Sequence, residues 1–267
     1  MTTSNRFRMR RCVIAGVEAV EADSVHSFGR HTHDQFGIGV ILRGAQKSAS
    51  GRGPVEAGPG DMITVNPGEV HDGTPITDDG RAWCMLYLDP QLVERAHFDI
   101  SDGRSGDFVF SHPVVTDRVG AKDFLSLYWE MTTTDTADQM AAESSLLLLV
   151  AAHRVEAPLR KSPAPPIARA RSLIDDDPAA TVTLDDLARV SGLNRFQVLR
   201  GFSRALGMTP HAYLVQRRLA LSRRLIAQGL ALSDAAFAGG FADQSHMTRS
   251  FVRAYGLTPG VYRQGIR

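Results

Sequence analysis

The chain has 267 residues, 43% hydrophobic and 22% charged, a balance typical of soluble globular proteins that excludes wholesale disorder, a collagen-like repeat and a membrane bundle. At ~100–200 residues per domain the length favours two domains. The net charge of +1 hides a division: residues 1–166 carry 16 Lys and Arg against 22 Asp and Glu, a formal −6, whereas residues 167–267 carry 14 arginines and no lysine against 7 aspartates and no glutamate, a formal +7. The natural partner of the second part is a polyanion, the alternative being a basic half that balances an acidic one across an internal interface.

The longest strongly apolar run, Leu146 to Ala152, is far below the ~18 residues that cross a bilayer, and the opening residues have no apolar signal-type stretch; a cytoplasmic protein with no membrane partner is expected. Cys12 and Cys84 are too few and too far apart for a disulfide framework or a four-ligand zinc motif, and suit a reducing compartment.

In chain order, the first hundred residues read as short β-type runs, such as Phe36 to Leu42, Met62 to Val65 and Ala82 to Leu88, broken by Gly, Pro and Asp clusters; this is the pattern of a sandwich or barrel. In the last run Trp83, Met85 and Tyr87 fall on one face and Cys84, Leu86 and Leu88 on the other, so an interior strand is expected. From about Ala121 the period turns helical through Phe124, Leu125, Tyr128 and Met131, and a second helical stretch from Asp138 to about Val155 completes a hairpin. Its leucines, Leu146 to Leu149, exceed what one amphipathic stripe needs and point to packing on the barrel, on a second subunit, or on both. Ala157 to Pro166, with four prolines, reads as an extended linker.

The last hundred residues contain a repeat. Leu184 to Gly192 lies over Leu232 to Gly240 at an offset of 48, after which Asn194 pairs with Asp243, Arg200 with Arg249, Phe202 with Phe251, Gly207 with Gly256 and Tyr213 with Tyr262 at 49. Each copy has a short helix, a glycine-containing turn and a second helix opened by a capping residue, Asn194 or Asp243, which is helix-turn-helix geometry; Thr183 with Asp186 forms a capping-box pattern. Val198 and Phe202, then Met247 and Phe251, sit four apart and face the core, which leaves Arg195, Phe196, Leu199 and Arg200, or Gln244, Ser245, Thr248 and Arg249, toward solvent or a groove. These side-chain types can read base edges. Thr209-Pro210 starts a connecting helix of about eighteen residues ended by Gly229; at ~1.5 Å per residue it is a rod of ~27 Å, near the ~34 Å between successive major-groove segments.

Leu184 to Tyr262, above all Gly240 to Arg263 (GFADQSHMTRSFVRAYGLTPGVYR), resembles the DNA-binding domain of AraC/XylS transcription regulators. The resemblance implies two helix-turn-helix units joined by a long helix, with base contacts from Phe196, Leu199 and Arg200 and from Gln244, Ser245, His246, Thr248 and Arg249. Leu199 stands where a polar reader is common, which shifts weight to Arg195, Phe196 and Arg200. In the first part, His31-Thr32-His33 and Gly60 to His71 resemble the paired motifs of the cupin barrel, the effector-binding half common in these regulators. In metal-binding cupins histidines and a carboxylate from these motifs hold a transition metal; here Asp34 and Gln35 are the nearest substitutes for that carboxylate. Polar lining of a ligand pocket by His31, His33 and His71 outranks structural bonding and metal ligation, so no metal and no cofactor is expected; Trp83, Met85 and Tyr87 either line the same pocket or form plain core. The Glu69 and Asp72 carboxylates are candidates to orient His71, and surface-loop chemistry explains them equally well.

The expected fold is α+β in two domains: residues 1–156 form a cupin-like barrel with a helical hairpin that serves effector binding and dimerisation, residues 157–166 a linker, and residues 167–267 a double helix-turn-helix domain. The expected function is sequence-specific transcription regulation in response to a small molecule, with double-stranded DNA, a second copy of the chain and RNA polymerase as candidate partners. A ligand-independent dimeric regulator and a metal-dependent cupin enzyme fused to a DNA-binding domain are the alternatives. No phosphate loop, dinucleotide fingerprint or Ser/His/Asp constellation is present, so an enzyme is not expected.

Overall fold

The computed structural model describes residues 5–101, 108–133, 139–153, 155–156 and 163–266. Its contacts separate two compact units, one holding most of the chain before the proline-rich stretch and the other most of the chain after it.

The first unit begins with nine strands: β1 (Arg6–Arg10), β2 (Val17–Ser24), β3 (Phe28–His31), β4 (Phe36–Arg43), β5 (Gln46–Ser50), β6 (Gly53–Ala57), β7 (Met62–Val65), β8 (His71–Pro75) and β9 (Arg81–Leu88). There follow α1 (Pro90–Ile100), β10 (Phe108–Val109), β11 (Val114–Val115), α2 (Arg118–Thr133), α3 (Gln139–Ala152) and β12 (Val155–Glu156). One sheet has the order β1-β2-β9-β4-β7-β11, a second β3-β8-β5-β6, and β10 pairs with β12. The three strands read from the alternation are β4, β7 and β9 within a residue at each end. The second helix of the hairpin stops at Ala152 rather than running to Val155, because Val155 and Glu156 pair as a strand with Val109 and Phe108.

Strand β9 runs between β2 and β4 and buries both faces, as its unbroken apolar run requires. Cys84, Leu86 and Leu88 join Phe36, Ile38 and Val40 in a core that α1, α2 and α3 cover with Val93, Phe124, Tyr128, Met131, Leu146 and Leu149. Trp83 and Met85 face the other way, with Ala22, Ile41 and Ala57, into the space enclosed by the sheets, where Phe7, Phe28 and Tyr87 pack against them. Opposite Met85 and Tyr87 the facing strand carries only glycine: a Cβ at Gly37 would lie 2.9 Å from Met85 Cε, and one at Gly39 would overlap Met85 and the Cys84 carbonyl. The two glycines therefore make room for the large residues of β9. In α3, Leu146, Leu149 and Val150 are buried against the core, whereas Leu148 is 72% exposed and Leu147 half-exposed.

The second unit is helical: α4 (Pro165–Asp176), α5 (Leu184–Ser191), α6 (Arg195–Leu206), α7 (Pro210–Ala227), α8 (Leu232–Ala238), α9 (Gln244–Tyr255) and α10 (Pro259–Gly265). Pro165 and Pro166, read as the end of a linker, instead open α4; proline suits a first helical turn because its missing N–H has no intrahelical partner there. Residues 157–162 of that linker lie outside the described residues. Val198, Phe202, Met247 and Phe251 are wholly buried, as the four-residue spacing requires.

Candidate nucleic-acid interface and ligand barrel

The two halves of the repeat fold alike. In the first, the Thr183 hydroxyl accepts from Asp186 N at 3.2 Å and the Asp186 carboxylate accepts from Thr183 N at 3.0 Å, a complete capping box that opens α5. Hydrogen bonds from the Thr183 side chain and backbone, then from Arg189, hold the Asp186 carboxyl down at about 2. Gly192, at φ 69°, ends α5 in the left-handed region, and Asn194 opens α6 in a second box with Gln197, both bonds 2.9 Å. In the second half Gly240 takes φ 80° in the turn, and Asp243 accepts from His246 N at 2.6 Å to open α9. Between them, α7 has eighteen residues with Thr209 as its cap and Pro210 at its start, and Gly229 follows it at φ 97°.

Arg195, Phe196, Leu199 and Arg200 lie on the exposed side of α6, opposite Val198 and Phe202. The Arg200 guanidinium sits over the Phe196 ring, and Arg195 approaches Asp185 at 3.5 Å with both side chains largely in solvent. On α9, Gln244, Ser245 and Arg249 are exposed; Thr248 is half-buried, and so is His246, whose ring packs edge-on against Phe241 at 5.2 Å. Neither Arg200 nor Arg249 is paired with a carboxylate among the described residues. Both arginine heads thus stand where a duplex could reach them.

In the barrel, His31 closes β3, His33 follows two residues later and His71 opens β8; one ring nitrogen of each lies within 4.8 Å of the others. His31 Nδ1 donates to the Gly29 carbonyl at 2.8 Å and His71 Nδ1 to the Glu69 carbonyl at 3.0 Å. A carbonyl only accepts, so in each neutral ring Nε2 carries the lone pair. Burial pushes the His71 pKa below its ordinary 6.5, with the Glu69 carbonyl pulling the other way. The His33 ring stacks on His71 at 5.2 Å and lies 4.8 Å from the Tyr87 ring, which joins Tyr87 to the histidine group; Trp83 and Met85 lie further along the same face of β9. Three imidazole nitrogens, two of them oriented by carbonyls on the other ring nitrogen, suit a transition metal, but among the described residues no carboxylate joins the group.

The carboxylates considered as orienters of His71 act elsewhere. Glu69 is buried and binds Arg52 Nε at 2.8 Å and Asn66 Nδ2 at 3.2 Å, and Asp72 accepts from Ala49 N at 2.7 Å. Arg52 also donates to the Thr64 and Phe110 carbonyls at 2.7 and 3.0 Å, so one guanidinium ties β7, the loop before β8 and the Phe110 segment together. Burial alone would raise the Glu69 carboxyl, but hydrogen bonds from Arg52 and Ser50 hold it below the usual range.

Arg81 was not among the residues singled out from the sequence. It is 1% exposed at the start of β9, on the same face as Trp83, Met85 and Tyr87. Extending the alternation one step back from Trp83 would have placed a guanidinium inside the barrel.

Residues 14–150 match the AraC-like ligand binding domain and residues 187–265 a helix-turn-helix domain. An uncharacterized HTH-type transcriptional regulator, YbfI of Bacillus subtilis, is 28% identical over 236 residues, 84% of this chain and 82% of its own; the transcriptional activator NphR of a Rhodococcus species is 38% identical over 86 residues, 32% of this chain and 25% of its own. Crystal structures of ToxT from Vibrio cholerae share the fold at 13% identity and a TM-score of 0.56: apo ToxT K231A, with 100% of this chain and 99% of that one covered, and wild-type ToxT bound to an unsaturated fatty acid, with 100% and 98%. An AraC-like ligand-binding domain over half of the sequence, followed by a helix-turn-helix domain, shows that the chain belongs to the AraC-type transcriptional regulators.

Proposed function

We propose that α6 and α9 read two adjacent major-groove segments of one duplex, through Arg195, Phe196, Leu199 and Arg200 in the first and Gln244, Ser245, His246, Thr248 and Arg249 in the second. The observation that carries this reading is the duplicated capped helix with its exposed arginine, Arg200 and Arg249, at matching positions on a +7 segment. Guanidinium groups can bridge guanine O6 and N7, and Gln244 can pair with adenine.

The barrel is the effector half of this reading: His31, His33, His71 and Tyr87 form its polar end and Trp83 and Met85 its apolar wall. The unsaturated fatty acid bound to wild-type ToxT is a precedent for a largely apolar ligand in a protein of this fold. A ligand switches the regulator only if it binds the DNA-competent and incompetent states with different affinity. The protein acts in the cytoplasm, as a homodimer joined through the exposed side of α3 at Leu147 and Leu148, with RNA polymerase as partner and without catalysis of its own. Proposed domain limits of 1–156 and 167–267 keep the two roles apart, with α4 carrying the second domain back to Pro165.

A gel shift of the full chain on its own upstream DNA, with and without candidate metabolites, tests the reading. Retention of that DNA at concentrations that leave scrambled DNA free supports it, and equal affinity for both overturns it. The three-histidine group favours a second reading, transition-metal binding in the barrel. Elemental analysis of purified protein that finds no bound transition metal, with DNA control intact in His33→Ala, removes that second reading.

A further inference from the structure

The interior of the barrel has another polar end, at Arg81, six residues along β9 from Tyr87 and so about 20 Å away. Its guanidinium is held by neutral acceptors: Nε donates to Gln46 Oε1 at 2.8 Å, Nη1 to the His26 carbonyl at 3.0 Å and Nη2 to the Gly73 carbonyl at 3.3 Å. Each Nη has a second N–H. Among the described residues no carboxylate pairs with Arg81, and burial lowers its pKa to about 10 with no opposing contribution from a negative group. A buried positive charge without a counter-charge is costly to keep in a core.

A second observation falls at the same corner. The His26 Nε2 atom is buried without a hydrogen-bond partner, and its ring lies edge-on to Phe28 at 4.7 Å, while Arg81 Cζ lies 5.8 Å from that same Phe28 ring and 4.7 Å from Trp83. Phe7, Phe28 and Trp83 meet one another edge-to-face at 5.8 to 6.2 Å. Phe7, His26 and Phe28 are half-buried, so this aromatic corner is in part open to solvent.

We infer that this end of the barrel binds the carboxylate of an aromatic monocarboxylic acid, with Arg81 as the counter-charge, His26 Nε2–H as a further donor, and Phe7, Phe28 and Trp83 around the ring. One guanidinium matches a single negative charge better than a phosphate dianion, and a charge-assisted bond is the strongest contact this corner can offer. The three rings give the corner an apolar, aromatic wall, which suits an aromatic body. The inference rests on the reading of the barrel as the effector half and names the chemical class of effector.

The test is thermal melting of the full chain with millimolar phenylacetate and benzoate, each beside its neutral amide, phenylacetamide and benzamide. Both acids raise the melting temperature and the amides do not, because only a ligand of the folded state stabilises it. Arg81→Gln abolishes the shift, and His26→Ala weakens acid binding by about tenfold. No shift with either acid, equal shifts from the amides, or an undiminished shift in Arg81→Gln overturns the inference. If Arg81 were only a strut between the sheets, Arg81→Gln would melt lower without any ligand while the wild type ignored the acids. Should Arg81→Gln not fold, the acid-against-amide comparison in the wild type and the His26→Ala titration still decide. A gel shift on the same preparation separates the two readings: specific DNA binding without any acid response removes the anion site alone, whereas loss of specific DNA binding removes the regulator reading itself.

Discussion

The Arg200 guanidinium lies over the Phe196 ring, Cζ 5.6 Å from its centroid, one turn along the exposed side of α6. Phe196 is 64% exposed on a helix whose opposite side is buried, and its ring face offers the arginine head a cation–π contact. Phe196→Ala is expected to leave the melting temperature nearly unchanged and to weaken specific DNA binding by about 0.5–1 kcal/mol, the usual worth of an exposed cation–π contact. Melting and a DNA titration on the same preparation check both halves.

Arg249 occupies the matching position on α9. Arg249→Ala should lose on the order of 1–3 kcal/mol on the selected sequence and relax preference at one base pair, as a bidentate guanine contact requires. Competition against single-base variants of the site measures this; uniform weakening on every sequence would assign Arg249 to phosphate.

The barrel should lose stability in acid in two stages. Burial lowers the His71 pKa in the fold, so its contribution is complete above the unfolded value of 6.5 and is lost as pH falls from there through the folded value. Glu69 is likewise depressed, so its contribution is complete above its ordinary 4.5 and fades as pH falls below that through the folded value. Melting of the chain across acid pH should therefore decline first near 6.5, and His71→Gln should flatten that first stage while Glu69→Gln alters the second. An unchanged profile in His71→Gln would contradict the assignment.

Two neighbouring leucines of α3 should behave differently. Leu146 is 4% exposed in the core, so Leu146→Ala should cost about 2–5 kcal/mol of stability. Leu148 is 72% exposed, so Leu148→Arg should leave the fold intact and, if α3 joins two copies, shift sedimentation from dimer to monomer. A dimer that survives Leu148→Arg places the interface elsewhere.

What the sequence disclosed follows from how local each signal is. Caps, turn glycines and the four-residue spacing of Val198–Phe202 and Met247–Phe251 are set within one helix, and all appear in the fold as read. Alternation likewise located β4, β7 and β9 and the two faces of Trp83–Leu88. Helix α1 was not anticipated, although Asp89 caps it and Pro90 opens it, because its core side is only Val93, Ala96 and His97. Long-range pairing was less legible. The partner of Glu69 is Arg52, seventeen residues away, and the residues around Arg81 come from Phe7, His26, Gln46 and Gly73, which only the meeting of two sheets brings together. The short β12 after α3 depends in the same way on its distant partner, β10.

Selection of bound sequences from random DNA by the full chain decides whether α6 and α9 read two neighbouring segments of one duplex. Two short motifs whose centres lie about one helical turn, ~10 base pairs, apart are expected to be enriched, with Arg200→Ala blurring one motif and Arg249→Ala the other. Recovery of unenriched DNA, or of the same motifs at full strength from both variants, would contradict it.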